Sequence, residues 1–318
     1  MDNDISNAQN DGSIFNAPLN LNLKIGTLMK YRLIHNTQYE YNDSVSLCHN
    51  EAHIIPRPTY FQTVLSNRID ITPLPTLQYD RLDFFGNPTT YFSIQYPHRL
   101  LSVTSLSEVQ LRDTYHDLNN SPCWENVRET LASDSVNPSL LEARELVLDS
   151  PFITTTAELR TYALPSFVPG RSILHATNDL MNRVFSEFVY DPDFTTIVTP
   201  LEDVLAHKRG VCQDFAHLMI GCVRSMGLAA RYVSGYLETL PPPGQVKLQG
   251  SDASHAWLAV FVPEVGWVDF DPTNNKIPIN QHITTAWGRD YSDVTPLKGI
   301  IFGGGENVLK VSVDVQRI

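Results

Sequence analysis

The apolar residues of this chain change their spacing twice, and that change limits the folds open to it. From Lys30 to about Arg112 the runs Tyr31–His35, Val64–Ile71, Thr90–Ile94 and Leu100–Val109 are rich in β-branched and aromatic residues. Turn signals such as Asn42-Asp43-Ser44, Pro56-Arg57-Pro58, Pro73-Leu74-Pro75 and Gly86-Asn87-Pro88 separate them, which is the pattern of short antiparallel strands. From Ser139 onward the spacing becomes helical. Ile173, Ala176, Leu180, Val184 and Phe188 line one face behind the capping residue Ser172. Shorter helices are predicted at Ser139–Leu148 and Thr156–Tyr162. Past Gly227 strands return at Ala230–Glu238, Ala256–Val262 and Trp267–Phe270, with a last strand through Leu309, Val311, Val313 and Val315. Strands, then helices, then strands predict an α+β fold, with an all-β, sandwich-like N-terminal domain followed by a mixed core.

The boundaries follow from composition. Residues 1–28 are polar, rich in Asn and Asp, and read as a disordered extension. The β-domain is placed at 29–115 and the core, with its C-terminal strand, at 116–318. The first residues lack a basic stretch followed by an apolar core, so no signal peptide is read, and no run reaches transmembrane length. Four cysteines without a C-x-x-C pair read as free thiols in a reducing compartment. The expected location is therefore cytoplasmic. A net charge of −12 would repel nucleic acid and anionic membranes, which argues against either as partner.

Chemistry concentrates around Arg209-Gly210-Val211-Cys212-Gln213-Asp214-Phe215. Thr199-Pro200-Leu201-Glu202 predicts a helix start with Thr199 as cap and Glu202 closing a capping box. That helix ends at Gly210 and delivers the chain to Cys212. From Phe215 the apolar residues Leu218, Met219, Cys222, Val223 and Met226 define a buried helix face that stops at Gly227. Cys222 has the ordinary fate of a free cysteine, a small core residue. Cys212 instead sits at a helix entrance, where unpaired N–H groups and the macrodipole favour a thiolate.

A cysteine nucleophile needs a base and a group to orient that base. His255 opens one strand and Asp271 ends the next, sixteen residues on (271 − 255). In a hairpin centred on Pro263 they become direct cross-strand partners, with Cβ atoms about 5 Å apart. Asp269 shares the parity but needs a centre at Val262, on the wrong side of the turn Pro263–Gly266, so Asp271 is preferred. Metal readings are weak. His49 and His53 are four apart in a strand-rich context, and His207, His217 and Cys212 lack a paired ligand spacing. No metal and no other cofactor is called for.

These segments, with Arg231-Tyr232-Val233-Ser234-Gly235-Tyr236, Ser254-His255-Ala256-Trp257 and Gly266-Trp267-Val268-Asp269-Phe270-Asp271-Pro272-Thr273-Asn274, resemble the bacterial transglutaminase-like superfamily. The strand-rich part, with Ser46–Glu51 and Asp83–Asn87, resembles the β-domain that precedes its core. The resemblance implies a papain-like core with Cys212, His255 and Asp271 as nucleophile, base and orienting acid. The implied activity is cleavage of a peptide or amide bond in a peptide or protein substrate through a thioester, with transfer to an amine as the alternative outcome. A non-catalytic binding module on the same fold is the rival class. Three departures matter. Gln213 stands where animal crosslinking enzymes have tryptophan, and no oxyanion glutamine precedes Cys212. The calcium sites and later β-sandwiches of those enzymes have no counterpart here either. Backbone N–H groups near Cys212 and the Gln213 side chain are therefore candidate oxyanion donors, and Trp257 a candidate wall of the cleft. Gly288–Asp293 resembles a segment found after the core, whose charges either rim the site or tie down the loop.

Overall fold

The computed structural model describes residues 27–196, 199–238 and 254–318. Its first unit grows around one very long strand, β1 (Leu28–Ala52). Strands β2 (Gln62–Thr72), β3 (Leu77–Leu82), β4 (Pro88–Ile94) and β5 (His98–Arg112) add to it in the order β2-β5-β1-β4-β3. The first half of β1 pairs with β5 and the second half with β4. Alternating burial along β1 and β5 seats Tyr31, Leu33, Val109 and Leu111 in one cluster, and Cys48 and Val103 in another with Phe92 and Ile94 of β4. The β-rich half is thus one long-stranded sheet, curved as a half-barrel, in place of two facing sheets.

Helices follow: α1 (Trp124–Ala132), α2 (Pro138–Glu145), α3 (Ala157–Ala163) and α4 (Ile173–Glu187). Asn137, Thr156 and Ser172 cap the last three by accepting first-turn N–H bonds. The α1 helix falls in a polar, turn-rich stretch, yet Trp124, Val127 and Leu131 bury one face of it. A short strand β6 (Val189–Tyr190), helix α5 (Leu201–His207) and strand β7 (Arg209–Gly210) lead to α6 (Cys212–Ser225). The expected cap at Thr199 is not made. Its hydroxyl instead accepts the N–H of Thr196, at 2.8 Å, and α5 starts after Pro200. Lys208, in the left-handed conformation at φ 52°, ends it.

The core sheet has the order β10-β9-β8-β11, built from β8 (Ala230–Leu237), β9 (Ser254–Val262), β10 (Gly266–Phe270) and β11 (His282–Gly288). Helix α6 lies between this sheet and the other helices, and its Phe215, Leu218, Met219, Cys222 and Val223 are buried in the main apolar cluster. Arg224, also buried, spends its guanidinium on the carbonyls of Leu146, Leu148, Ala230 and Arg289, so the C-terminal end of α6 is tied to two loops and the start of β8.

After α7 (Tyr291–Val294) the chain leaves the core. Strands β12 (Leu297–Gly303) and β13 (Asn307–Arg317) both pair with β1, completing a seven-stranded sheet. The last strand, placed with the core by sequence, therefore belongs to the N-terminal sheet. Local alternation fixes a strand but carries no information on which edge receives it.

Candidate active site

Cys212 opens α6 because the chain before it is pulled tight. The Asp214 carboxylate reaches back to accept the N–H of Val211 at 2.8 Å and the Thr195 hydroxyl at 2.7 Å. Gly210 is needed there, since a Cβ on it would lie 2.8 Å from both Asp214 Cβ and Oδ2. Cys212 emerges half-buried at the first turn, while Cys222 and Cys48 are fully buried. Burial pushes the Cys222 thiol up to about 12 and the Cys48 thiol upward as well, which suits core residues and not nucleophiles.

The β9–β10 hairpin supplies the other groups. Gly266 pairs with Val262 and Phe270 with Leu258, so the hairpin is centred on residue 264, one residue beyond the centre expected at Pro263. Glu264 and Gly266, at φ 66° and 96°, absorb the difference in the turn. His255 and Asp271 are in consequence diagonal and not directly opposite. They still meet: His255 Nε2 donates to Asp271 Oδ2 at 2.8 Å. Asp269 pairs with Ala259, two rows from His255. Cys212 acts on the same imidazole, favouring its charged form alongside Asp271. The three predicted residues are thus in one constellation.

Asp271 is fully buried and densely partnered. Oδ1 accepts the N–H groups of Thr273 and Asn274 at 3.0 and 3.2 Å. Oδ2 accepts His255, the Asn274 amide at 2.7 Å and His282 Nε2 at 2.9 Å. Burial alone would raise this carboxyl, but the bonds from His255 and His282 outweigh it and hold the group well below the usual carboxylate range. For His255, burial works against the charged form. The Asp271 and Cys212 interactions prevail and raise it to about 10.

His282 escapes sequence reading because it sits in a stretch with loop-like composition. Tyr190 on β6 and Tyr232 on β8, both within electrostatic reach of Cys212, are also unpredicted. Trp257 is completely buried, packed edge-on against His282 with centroids 5.0 Å apart, so it supports the site from beneath and does not wall an open cleft. Gln213 is half-buried beside Cys212.

The metal alternatives separate. His207 Nδ1 donates to the Asp203 carbonyl, and buried His217 accepts the N–H of Tyr291. His49 meets the Tyr91 hydroxyl, whereas His53 lies between Asp83 and the Thr295 carbonyl. Nitrogens of His255 and His282 and an oxygen of Asp271 lie within 4.8 Å of one another, a spacing short enough for a metal ion. The donor set does not fit that use. Three N–H donors already converge on Oδ2, and among the described residues His282 Nδ1 lacks the outer partner that orients a metal-bound imidazole. The charges of Gly288–Asp293 tie the loop down: Arg289 pairs with Asp293, and buried Asp290 accepts the N–H groups of Phe152 and Ser292.

This architecture recurs in known proteins. The profile of the bacterial transglutaminase-like N-terminal region matches residues 31–110, and that of the transglutaminase-like superfamily matches residues 168–272. An uncharacterised protein of Mycobacterium tuberculosis (strain H37Rv) is 39% identical over 308 residues, covering 94% of this chain and 96% of that protein. The chain belongs to the bacterial transglutaminase-like superfamily, with its N-terminal β-domain. A protein-glutamine gamma-glutamyltransferase of Pseudomonas aeruginosa is 31% identical over 137 residues, 39% of this chain and 20% of that protein. A crystal structure from Cytophaga hutchinsonii, provisionally assigned as a cysteine protease, shares the fold at TM-score 0.70 and 18% identity, covering 92% of this chain and 91% of its own.

Proposed function

We propose that this protein is a cysteine hydrolase that cleaves a peptide or amide bond through a thioester on Cys212. The observation that carries this reading is the His255 imidazole, held by buried Asp271 through Nε2 and interacting with Cys212. His255 takes the thiol proton, and the sulfur attacks the amide carbonyl carbon. Backbone N–H groups at the start of α6, which have no intrahelical acceptor, face the developing oxyanion. When the C–N bond breaks, the imidazolium returns its proton to the leaving amine. Water then attacks the thioester, His255 accepts its proton, and the carboxylic acid departs as the thiol is restored.

An amine can replace water in the second half, giving transamidation. The likeness to the Pseudomonas aeruginosa glutamyltransferase favours this second reading over residues of the core. Hydrolysis takes precedence because water needs no acceptor site, and because the Cytophaga hutchinsonii protein of the same fold carries a protease assignment. The location expected for this activity is cytoplasmic. The test is a screen of wild type and Cys212→Ala against peptides, isopeptides and glutamine peptides with and without a primary amine. Amide cleavage that needs Cys212 and no amine supports hydrolysis. Product formed only with amine transfers the assignment to transamidation, and equal activity in Cys212→Ala removes the cysteine mechanism altogether.

A further inference from the structure

Asp271 holds two imidazoles on a single oxygen, and the second has no place in the mechanism above. His282, on β11, donates Nε2–H to Oδ2 at 2.9 Å, against 2.8 Å for His255. Its side chain is 3% exposed, its ring lies edge-on to Trp257, and its Nδ1 is buried with no hydrogen-bond partner among the described residues. An imidazole left with a buried, unsatisfied nitrogen is costly for a purely structural filler. Asp271 does not need it for support either, since Thr273 and Asn274 already supply three donors.

We propose that His282 is a positioning residue that acts through Asp271, sharing Oδ2 with His255 and so setting how firmly the acid holds the His255 proton. This rests on the reading of Cys212, His255 and Asp271 as the reacting site. A hydrogen bond donated to a carboxylate lowers its basicity, so the bond it makes elsewhere weakens. With His282 in place, Asp271 keeps His255 oriented through Nε2–H, and the imidazolium gives up the proton on its other nitrogen more readily to the departing amine. The titratable groups facing His255 are Cys212 from α6, Asp271 from the end of β10 and His282 from β11; Asp269 lies within electrostatic reach of His282.

Nitrogen NMR of the histidine rings, with His255→Gln to assign the resonances, tests this in wild type, His282→Leu and His282→Gln. Leu fills the space beside Trp257 without a donor, and Gln restores an amide donor. The His255 titration midpoint is expected to rise by about one pH unit in His282→Leu and to return close to wild type in His282→Gln. An unmoved or lowered midpoint in His282→Leu overturns the proposal, as does an equal shift in both variants. If His282→Leu fails to fold, His282→Asn, whose amide falls short of Oδ2, takes its place with the same expected shift. Failure of the wider reading is distinguishable: Cys212 would then resist alkylation in wild type, whatever His282 does to the midpoint.

Discussion

Asp271 makes the site asymmetric. Five donors stabilise its charge in a fully buried place, so its work is done as an anion at any pH the fold survives. Replacing it by Asn keeps the shape but removes the charge that favours protonated His255. We expect Asp271→Asn to lower turnover of any substrate found by about a hundredfold or more, measured as kcat/KM. The same linkage predicts a pH signature in stability. His255 is raised from its ordinary 6.5 to about 10, so its contribution is complete below about 6.5 and is lost as the pH rises through 10. His217 has the opposite sign: burial comes first among the causes that push it down to about 4, so its share is lost as the pH falls below about 6.5. Urea midpoints followed across pH 7 to 10 should decline more steeply in wild type than in His255→Gln. Parallel curves would show that the imidazolium contributes nothing to the folded state.

At the level of elements, the site depends on β11 lying close to β8. Gly235 makes this approach possible, since a Cβ there would meet the Ile283 carbonyl oxygen at 2.0 Å and the Trp257 ring at 2.7 Å. Gly235→Ala must push β11 outward, with His282 on it. We expect a loss of about 3 kcal/mol or more in urea unfolding, together with displaced Trp257 and His282 signals. The local elements were legible where a single physical signal decides them. Ser172 caps its helix, a helix forms at Ala157–Ala163 where Thr156–Tyr162 predicts one, and the face from Phe215 to Met226 is buried as its spacing predicts. Cys212 stands at a helix start for the same reason. The hairpin centre missed by one residue because Pro263 marks a turn without fixing its type, and the left-handed Glu264 settled the register. His282 was invisible because a strand of Thr, Ala, Trp and Gly around a bulge has no alternation to reveal it.

On the scale of the whole molecule, the two units are stitched by side-chain amides. Among the described residues no strand pairs with the outer edge of β11, and Gln62 and Asn87 from the N-terminal unit take that place. Gln62 bonds both the N–H and the carbonyl of Thr284, and Asn87 does the same for Trp287. Arg57 and Arg231 stack on the Trp287 ring, with guanidinium carbons 3.1 and 3.7 Å from its centre. The β-domain thus holds the strand that carries His282. Asn87→Leu leaves both Trp287 backbone groups unsatisfied. We expect its thermal unfolding to divide into two transitions by calorimetry, where wild type shows one; a single transition at an unchanged temperature would mean that the units are coupled elsewhere. This long-range stitching, and the return of β12 and β13 to β1, depend on residues more than a hundred positions apart and leave no local mark in the sequence.

All three scales converge on one claim, that His255 activates Cys212. Its most direct test is competitive alkylation with limiting iodoacetamide at neutral pH, each cysteine followed by peptide mass spectrometry. The half-exposed Cys123 serves as internal reference, and the buried Cys48 and Cys222 as protected controls. Cys212 is expected to label about tenfold or more faster than Cys123, falling to the reference rate in His255→Ala. Cys212 labelling no faster than Cys123, or an unchanged rate in His255→Ala, would contradict it.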